Sequence, residues 1–552
     1  MSVVPFLLVA AATGTASLLV RASRSWSTAI ALVGLVAMAV LATTIGPTTS
    51  VRLGGANLAG SDWLRLFAIL GSLVGALLVI VDLATVHEPD VPGVIALGIG
   101  AAVLALAIDD PGAAVITATA GGLAGVLVAA PLGAAARAAF VGSRELRALA
   151  VAGALAIGAT AWIARPLGDL SRVPEVFGLA YLAFAAAVAI RLGAIPFHLW
   201  AARVADAAPG IGLPLLMAWG PAAFAAVALV WIDRSVAPLA LPIDGERSLV
   251  ATIGALSVVL GLLAAAIQDD LEHVVGYTIA ADAGFVVLAL AGFDPAVWAP
   301  SRTWLLVFVV ARSAFAAWAV AIAGASGTRR IPELDGWARR TPVLAVALVA
   351  IAAVSIGWPG LAAWDARAAI AAVALPDPIA GLVAAAPVAA IVIYGRLIRT
   401  GLRRAGAAVR AGRSDAPAWP SPLPRRPIVG RGTFERTIER ISHALAGTLD
   451  VLWTVPAGIR LNRTLLGSVA VLVLAGLGGA VAAGGLGVPE AARAVPVLGE
   501  PGPGPEASGP PSATIEPGAT PGFSFSPVGP GQGPSQDAGG SGEPEGSGGT
   551  GD

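Results

Sequence analysis

The stretch RLGAIPFHLWAARVADAAPGIGLPLLMAWGPAAF, Arg191–Phe224, decides how this chain is read. Arg191 closes a long apolar run, Gly193 and Pro196 follow, and a second apolar run begins only after Pro209 and Pro214. Within a bilayer this pattern predicts an interrupted helix, because glycine and proline free backbone groups that protein or trapped water must satisfy. A charged side chain at that depth is unfavourable by roughly 2.5–3.5 kcal/mol on insertion scales, so Arg191 marks either a functional position or a helix-pairing contact. His198, Arg203 and Asp206 lie in the same interruption.

The surrounding sequence places that stretch in a membrane. Of 552 residues, 57% are apolar and 12% charged, with a mean hydropathy of +0.83. Soluble domains carry about 25% charged residues, so an ordinary soluble enzyme is excluded. Apolar segments of spanning length, roughly 17–25 residues, lie near 3–21, 27–45, 62–86, 91–109, 111–135, 146–165, 174–197, 209–232, 248–267, 271–292, 301–324, 342–365, 370–395 and 465–487. The expected fold is therefore an all-α integral membrane protein of about fourteen transmembrane helices, some of them interrupted. Residues 1–110 hold the first helices, 111–400 the core, and 465–487 the last helix. The tail, 488–552, is rich in glycine, proline and serine and cannot bury a core; it is expected to be disordered.

The charges orient the bundle and exclude other functions. All 34 basic residues are arginine, balanced by 34 acids, so no basic face for nucleic acid stands out. Arginines gather in 401–464, at Arg329, Arg330, Arg339 and Arg340, at Arg137, Arg144 and Arg147, and at Arg21 and Arg24. These loops share one side in a fourteen-helix count, which predicts a cytoplasmic face there, both termini outside, and a multi-pass place in a bacterial-type inner or plasma membrane. Acids in the 87–90 turn and at Gln268–Glu272 run against that bias. Between Thr433 and Trp453, Phe434, Ile438, Ile441, Leu445 and Leu449 recur at helical spacing, so an amphipathic helix is expected on the membrane surface or against a partner. Cysteine is absent, which removes thiolate ligation, and His87, Glu88 and Asp90 form only a weak metal-binding pattern.

Three blocks together resemble the antiporter-like family: subunits L, M and N of NADH–quinone oxidoreductase (respiratory complex I) and the related cation/proton antiporters. In the first, Gly193, Pro196, His198, Trp200, Ala208 and Pro209 stand at the family's Gly, Pro, His, Trp and Ala-Pro positions. In the second, QDDLEHVVGYTIAADAGFVVLAL, the outline is kept by Gln268, Asp270, Tyr277, Thr278, Gly284 and Phe285. In the third, Glu333–Arg367, the Arg-Arg-x-Pro pattern leads to a Ser-x-x-Gly-x-Pro turn containing Pro359. The likeness covers about 110–400, and the fourteen spans are most similar to subunit N.

That resemblance implies a membrane subunit that couples electron transfer elsewhere to proton movement. The chain itself would hold no cofactor; flavin, iron–sulfur clusters, NADH and quinone would belong to the parent complex, and the partners would be its other membrane subunits and the lipid bilayer. The family's path uses a glutamate and several lysines. Here the glutamate position falls on Val126 and one lysine on Gly220, the other lysines become Arg191 and Arg367, and a histidine becomes Asp282. A buried lysine can be brought toward neutrality, whereas a guanidinium stays charged. The path is thus degenerate or rewired.

The remaining candidates for a polar axis are Arg191, His198, Glu272, His273, Asp282, Arg312 and Arg367, with Gly193, Pro196, Pro209 and Pro359 at the helix interruptions. Asp282 is either the surviving protonatable site or the permanent partner of Arg191 or Arg312. A cation/proton antiporter subunit and a structural, non-translocating paralogue remain alternative roles. Replacement of Asp282 by Asn should abolish proton movement if that carboxylate relays protons; unchanged pumping with intact assembly would remove it from the mechanism.

Overall fold

The computed structural model describes residues 1–85, 90–129, 136–164, 174–204, 210–237, 241–403, 433–452 and 463–485. His87, Glu88, Asp206, Pro209, most of the arginine-rich segment and the 488–552 tail lie outside the described residues. Seven helices come first: α1 (Val4–Leu19), α2 (Arg24–Thr43), α3 (Asp62–Ala84), α4 (Val91–Ala107), α5 (Pro111–Ala129), α6 (Ala136–Ala164) and α7 (Pro174–Leu192). A small antiparallel hairpin, β1 (Ser50–Leu53) and β2 (Ala56–Ala59), joins α2 to α3. After the interruption come the short α8 (Ala201–Val204), then α9 (Gly220–Trp231), α10 (Asp244–Ile267), α11 (Leu271–Ala291) and α12 (Trp298–Ser326). The last group is α13 (Trp337–Arg340), α14 (Pro342–Ile356), α15 (Ala362–Ala374), α16 (Ile379–Ala385), α17 (Ala390–Leu402), α18 (Thr433–Leu452) and α19 (Arg463–Ala482).

Ten helical stretches among the described residues are long and apolar enough to cross a membrane, and α1, α4 and α14 are shorter apolar helices. Together with α5 they account for the fourteen crossings expected from the sequence. The chain is a multi-pass membrane protein. Two boundaries differ from the hydropathy reading, and both matter. The sixth crossing runs Gly142–Ile163 within a helix that starts at Ala136, which draws Glu145 into the span. The twelfth stops at Ile356 and restarts as α15, and the thirteenth then runs Ile379–Leu402. Helical continuity explains the first shift, since no proline divides Ala136 from Ala164. Gly357 at φ +68° explains the second, because a left-handed residue ends the α-helix.

Lipid offers no hydrophobic drive for helix association, so close backbone approach must supply it. The α10–α11 pair illustrates this. A Cβ on Gly254 would come within 2.9 Å of the Gly284 carbonyl oxygen, and one on Gly261 within 2.8 Å of the Ala281 nitrogen. The opposite face of α10 leaves Leu256, Leu263 and Ile267 exposed.

The acids that ran against the charge bias are neutralised locally. Arg329 bridges Asp270 and Glu272, each at 2.8 Å, while Arg396 bridges Asp269 and donates to the carbonyl oxygens of Ala266 (2.9 Å) and Gln268 (2.7 Å). Arg21 meets Asp90 at 2.9 Å. The expected amphipathic helix is present as α18. It rests on the turn between α1 and α2, where the Ala22 N–H donates to Ser442 Oγ (3.1 Å) and Ala446 is buried. Its apolar Ile441 and Leu445 stay exposed.

Replacing Gly254 by Leu should force α10 and α11 apart and destabilise the bundle by about 1–3 kcal/mol, the usual effect of overpacking. Thermal unfolding in detergent measures this; an unchanged midpoint contradicts the close approach.

Candidate functional site

The site begins where α7 ends. Gly193 takes φ +64°, and a Cβ there would collide with Ala201, so glycine is required on both counts. The break is satisfied from within the protein. The Trp200 indole N–H donates to the Ile190 carbonyl at 2.8 Å, and Ser257 of α10 accepts from the Ile195 N–H at 3.0 Å. The Gly, Trp and Pro positions of the quoted stretch therefore build one local structure, a helix end held inside the bundle.

Arg191, one residue before the end of α7, is buried. Its guanidinium occupies a slot between α5 and α9 that exists because Gly122 and Gly220 have no side chains. A Cβ at 220 would lie 3.1 Å from Nη2, and one at 122 would clash outright. The absence of side chains at Gly122 and Gly220 thus makes room for the broad head of Arg191. Ahead of Gly220, α9 is preceded by a wide turn, Leu215–Trp219, in which the Gly220 N–H donates five residues back to Leu215. Pro221, lacking an N–H, could not sustain regular pairing there.

The acid facing Arg191 electrostatically is Glu145, on α6 rather than at position 126 of α5. Glu145 lies on the buried stripe of α6 with Gly142, Leu149, Ala152 and Ala156, while its neighbours Arg144 and Arg147 are exposed. Both its carboxylate oxygens, and Nη1 of Arg191, are buried without a hydrogen-bond partner among the described residues. This carboxylate was hidden in the sequence by the RELR charge pattern, which resembles a loop. The signal that reveals it is the 3.6-residue apolar period running uninterrupted backward from Ala164.

A second polar group lies on α11, α12, α14, α15 and α17. Arg312 Nε meets Asp282 Oδ2 at 2.6 Å, with both side chains buried. Asp282 is therefore the partner of Arg312 and not of Arg191. Arg312 Nη1 also donates to the Tyr394 hydroxyl (3.4 Å), and Tyr394 lies 2.9 Å from Ser355 Oγ. Arg367 is fully buried and donates to the carbonyls of Ser355 (3.1 Å) and Ile356 (2.6 Å), the last residues of α14. Its guanidinium lies 5.3 Å from the Trp304 ring centre and 5.8 Å from those of Phe285 and Trp364. It caps the negative end of a helix dipole from inside an aromatic box, so its charge is fixed in place. The expected axis of Arg191, Asp282 and Arg367 is thus two groups. Trp219, donating to Ser313 Oγ at 3.0 Å, stands between residues adjacent to each.

The remaining sequence candidates gather on the arginine-rich side of the bundle. His198, half-buried after the α7 break, has its ring 6.0 Å from that of Tyr277 on α11, and His273 lies one turn before Tyr277. Glu272 is held by Arg329. Pro196 and Pro359 lie in the two helix breaks, whereas Pro209 and the Arg203 side chain fall outside the described residues. Among the described residues no cluster of three metal-binding side chains occurs.

Two crossings of the described bundle are interrupted, each break beside a buried cation, Arg191 and Arg367. Residues 167–391 match the family described as NADH:quinone oxidoreductase/Mrp antiporter, TM. In sequence, NADH-quinone oxidoreductase subunit N 2 of Solidesulfovibrio magneticus is 31% identical over 240 residues, 43% of this chain and 49% of that protein. The chain spans about half the length of the relatives it matches. In structure, a chain of respiratory complex I from Thermus thermophilus superposes with a TM-score of 0.60 at 18% identity, covering 88% of this chain and 98% of that one. A chain of the Mrp complex from Dietzia sp. gives 0.61 at 18% identity, covering 88% and 93%. At these identities the likeness establishes the fold.

Breaking the buried ion pair from one side should be severe. Asp282→Asn or Arg312→Gln alone should destabilise the protein by about 3–5 kcal/mol, while the double variant recovers most of it. Thermal denaturation of the four forms checks the cycle; additive losses contradict the pairing.

Proposed function

We propose that this chain is a membrane subunit of a proton-translocating quinone oxidoreductase-type complex, coupling electron transfer in other subunits to proton movement through a rewired path. The observation that carries this reading is a buried carboxylate, Glu145 on α6, within electrostatic reach of a buried guanidinium, Arg191, beside an interrupted helix, with neither carboxylate oxygen hydrogen-bonded among the described residues. Support comes from the family match and from relatives named as subunit N of NADH-quinone oxidoreductase. NADH and quinone would act in partner subunits, as would flavin and iron–sulfur clusters. This chain has no cysteine to ligate a cluster.

In this reading Glu145 carries the proton and Arg191 supplies a charge that does not titrate. Deprotonated Glu145 makes the pair neutral; protonation leaves a net positive charge in a low-dielectric interior. Such a group responds to charge elsewhere. At an effective dielectric of ~20, a unit charge ~10 Å away changes its proton affinity by about 1.7 kcal/mol, a little over one pK unit. A neighbouring subunit that changes charge would thereby load or unload Glu145. His198, His273 and Glu272 would line the approach from the arginine-rich side, which by the charge bias would face the cytoplasm. Arg312, Asp282 and Arg367 would hold the second half-bundle together and carry no proton.

Purification in mild detergent should recover quinone-reductase subunits with the full chain; recovery with antiporter subunits would favour cation/proton antiport instead. In inverted vesicles, Glu145→Gln should cut redox-driven proton uptake at least tenfold while the complex still assembles. Unchanged uptake with normal assembly would assign the chain a structural role without translocation.

A further inference from the structure

The break between α14 and α15 leaves Trp358, Pro359 and Gly360 exposed, Trp358 at 72%. The Leu361 N–H donates to the Trp358 carbonyl (3.0 Å) and the Gly357 N–H to the Ala353 carbonyl (3.0 Å), whereas the N–H groups of Trp358 and Gly360 make no hydrogen bond among the described residues. Asp365, in the first turn of α15, is also exposed, and its carboxylate has no ion pair or hydrogen bond among the described residues. Arg367 does not serve it. Positions two apart on a helix do not face each other, and Arg367 is buried against the Ser355 and Ile356 carbonyls. The helical rise puts these exposed groups at hydrocarbon depth. From Pro342, beside Arg339 and Arg340, α14 runs 15 residues, ~22 Å, before it breaks. At the other end of α15, Val373 Cγ1 lies 3.1 Å from where a Cβ on Gly292 would stand, just past the end of α11. Ala362, which starts α15, is eleven residues back from Val373, ~16 Å, or about half of a ~30 Å hydrocarbon layer. The same level follows from Ser355, which joins through Tyr394 and Arg312 to Asp282, midway along α11.

We propose that the outward face from Trp358 to Asp365 is a docking site for a transmembrane helix of another subunit, one that sets a basic side chain against Asp365. Irregular backbone and carboxylates persist at this depth only where protein or water meets them. Lipid would cover the indole of Trp358 but not the carboxylate of Asp365; water would satisfy the carboxylate but not the indole. A protein helix does both. Charge complementarity then selects a cation opposite Asp365, and Trp358 is the large aromatic anchor that interfaces bury at their centre. Gly360, at φ +90° with nothing within 4 Å of a Cβ, leaves the backbone open to close approach. The inference rests on the reading of the chain as a subunit of a larger membrane complex, and it stands whether or not the chain moves protons.

The test places a photoreactive benzoylphenylalanine at position 358 of the full chain, an aromatic for an aromatic. Native membranes are irradiated, the chain is purified in mild detergent, and adducts and co-purifying subunits are identified by mass spectrometry. We expect adducts on a transmembrane segment of another subunit, with an Arg, Lys or His within about two helical turns, ~11 Å, of the attachment point. Asp365→Asn should lower the adduct yield at least threefold. Asp365→Arg should lower it likewise, and should regain it when the partner's basic residue is changed to Asp. Adducts on lipid alone, on residues 486–552 of the chain itself or on a segment without a basic residue would overturn the proposal, as would a yield unchanged in Asp365→Asn. If other subunits co-purify while any of these results is found, the docking site fails and the proposed function stands; a chain recovered alone ends both. The adduct map with Asp365 intact decides the partner even if an Asp365 variant fails to accumulate.

Discussion

In hydrocarbon every backbone carbonyl needs a donor from the protein, and this chain opens two of its own helices inside the span. The second opening shows what that requirement demands. When α14 stops at Ile356, the carbonyls of Ser355 and Ile356 lose their intrahelical partners, and Arg367 turns back from α15 to bind both. The rings of Phe285, Trp304 and Trp364 surround its guanidinium. At the first opening a neutral group does comparable work, the Trp200 indole on Ile190. The architecture of the core follows from how these two ends are closed.

That difference divides the chemistry of the molecule. Around Arg367, Arg312 and Asp282, every charge is bound to a specific partner or held against carbonyl dipoles, and the arrangement is a rigid clamp joining α11, α12, α14, α15 and α17. Around Arg191, Glu145 acts electrostatically and no hydrogen bond links the two groups among the described residues. A clamp contributes fixed structure. A carboxylate and a guanidinium without a direct hydrogen bond can instead change net charge when a proton arrives, and the proposed role draws on that property.

Much of this was legible beforehand. Fourteen apolar runs, the Gly193–Pro196 interruption and the arginines at 191 and 367 were readable from residue types and spacing; that these arginines stand at lysine positions is what the family resemblance implies. The amphipathic period of 433–452 was equally plain, and the helix is there. Asp282 was legible as a buried acid but not as the partner of Arg312, because its three candidate roles differ only in which helix faces α11. Glu145 was missed altogether, since two flanking arginines disguised a buried helical position as a loop.

Composition and period by themselves determined that the chain is a multi-pass helical bundle, where its helices break, and which cations cannot give up a proton. These are local properties, set by side-chain chemistry and by the hydrophobic length of a span. Only the tertiary structure decided which charges meet, because pairing in a bundle depends on helix rotation and neighbour choice. Two small residues far apart in sequence, Gly122 and Gly220, open the slot for Arg191. One helix beginning earlier than its hydropathy suggested brings the opposing carboxylate to it.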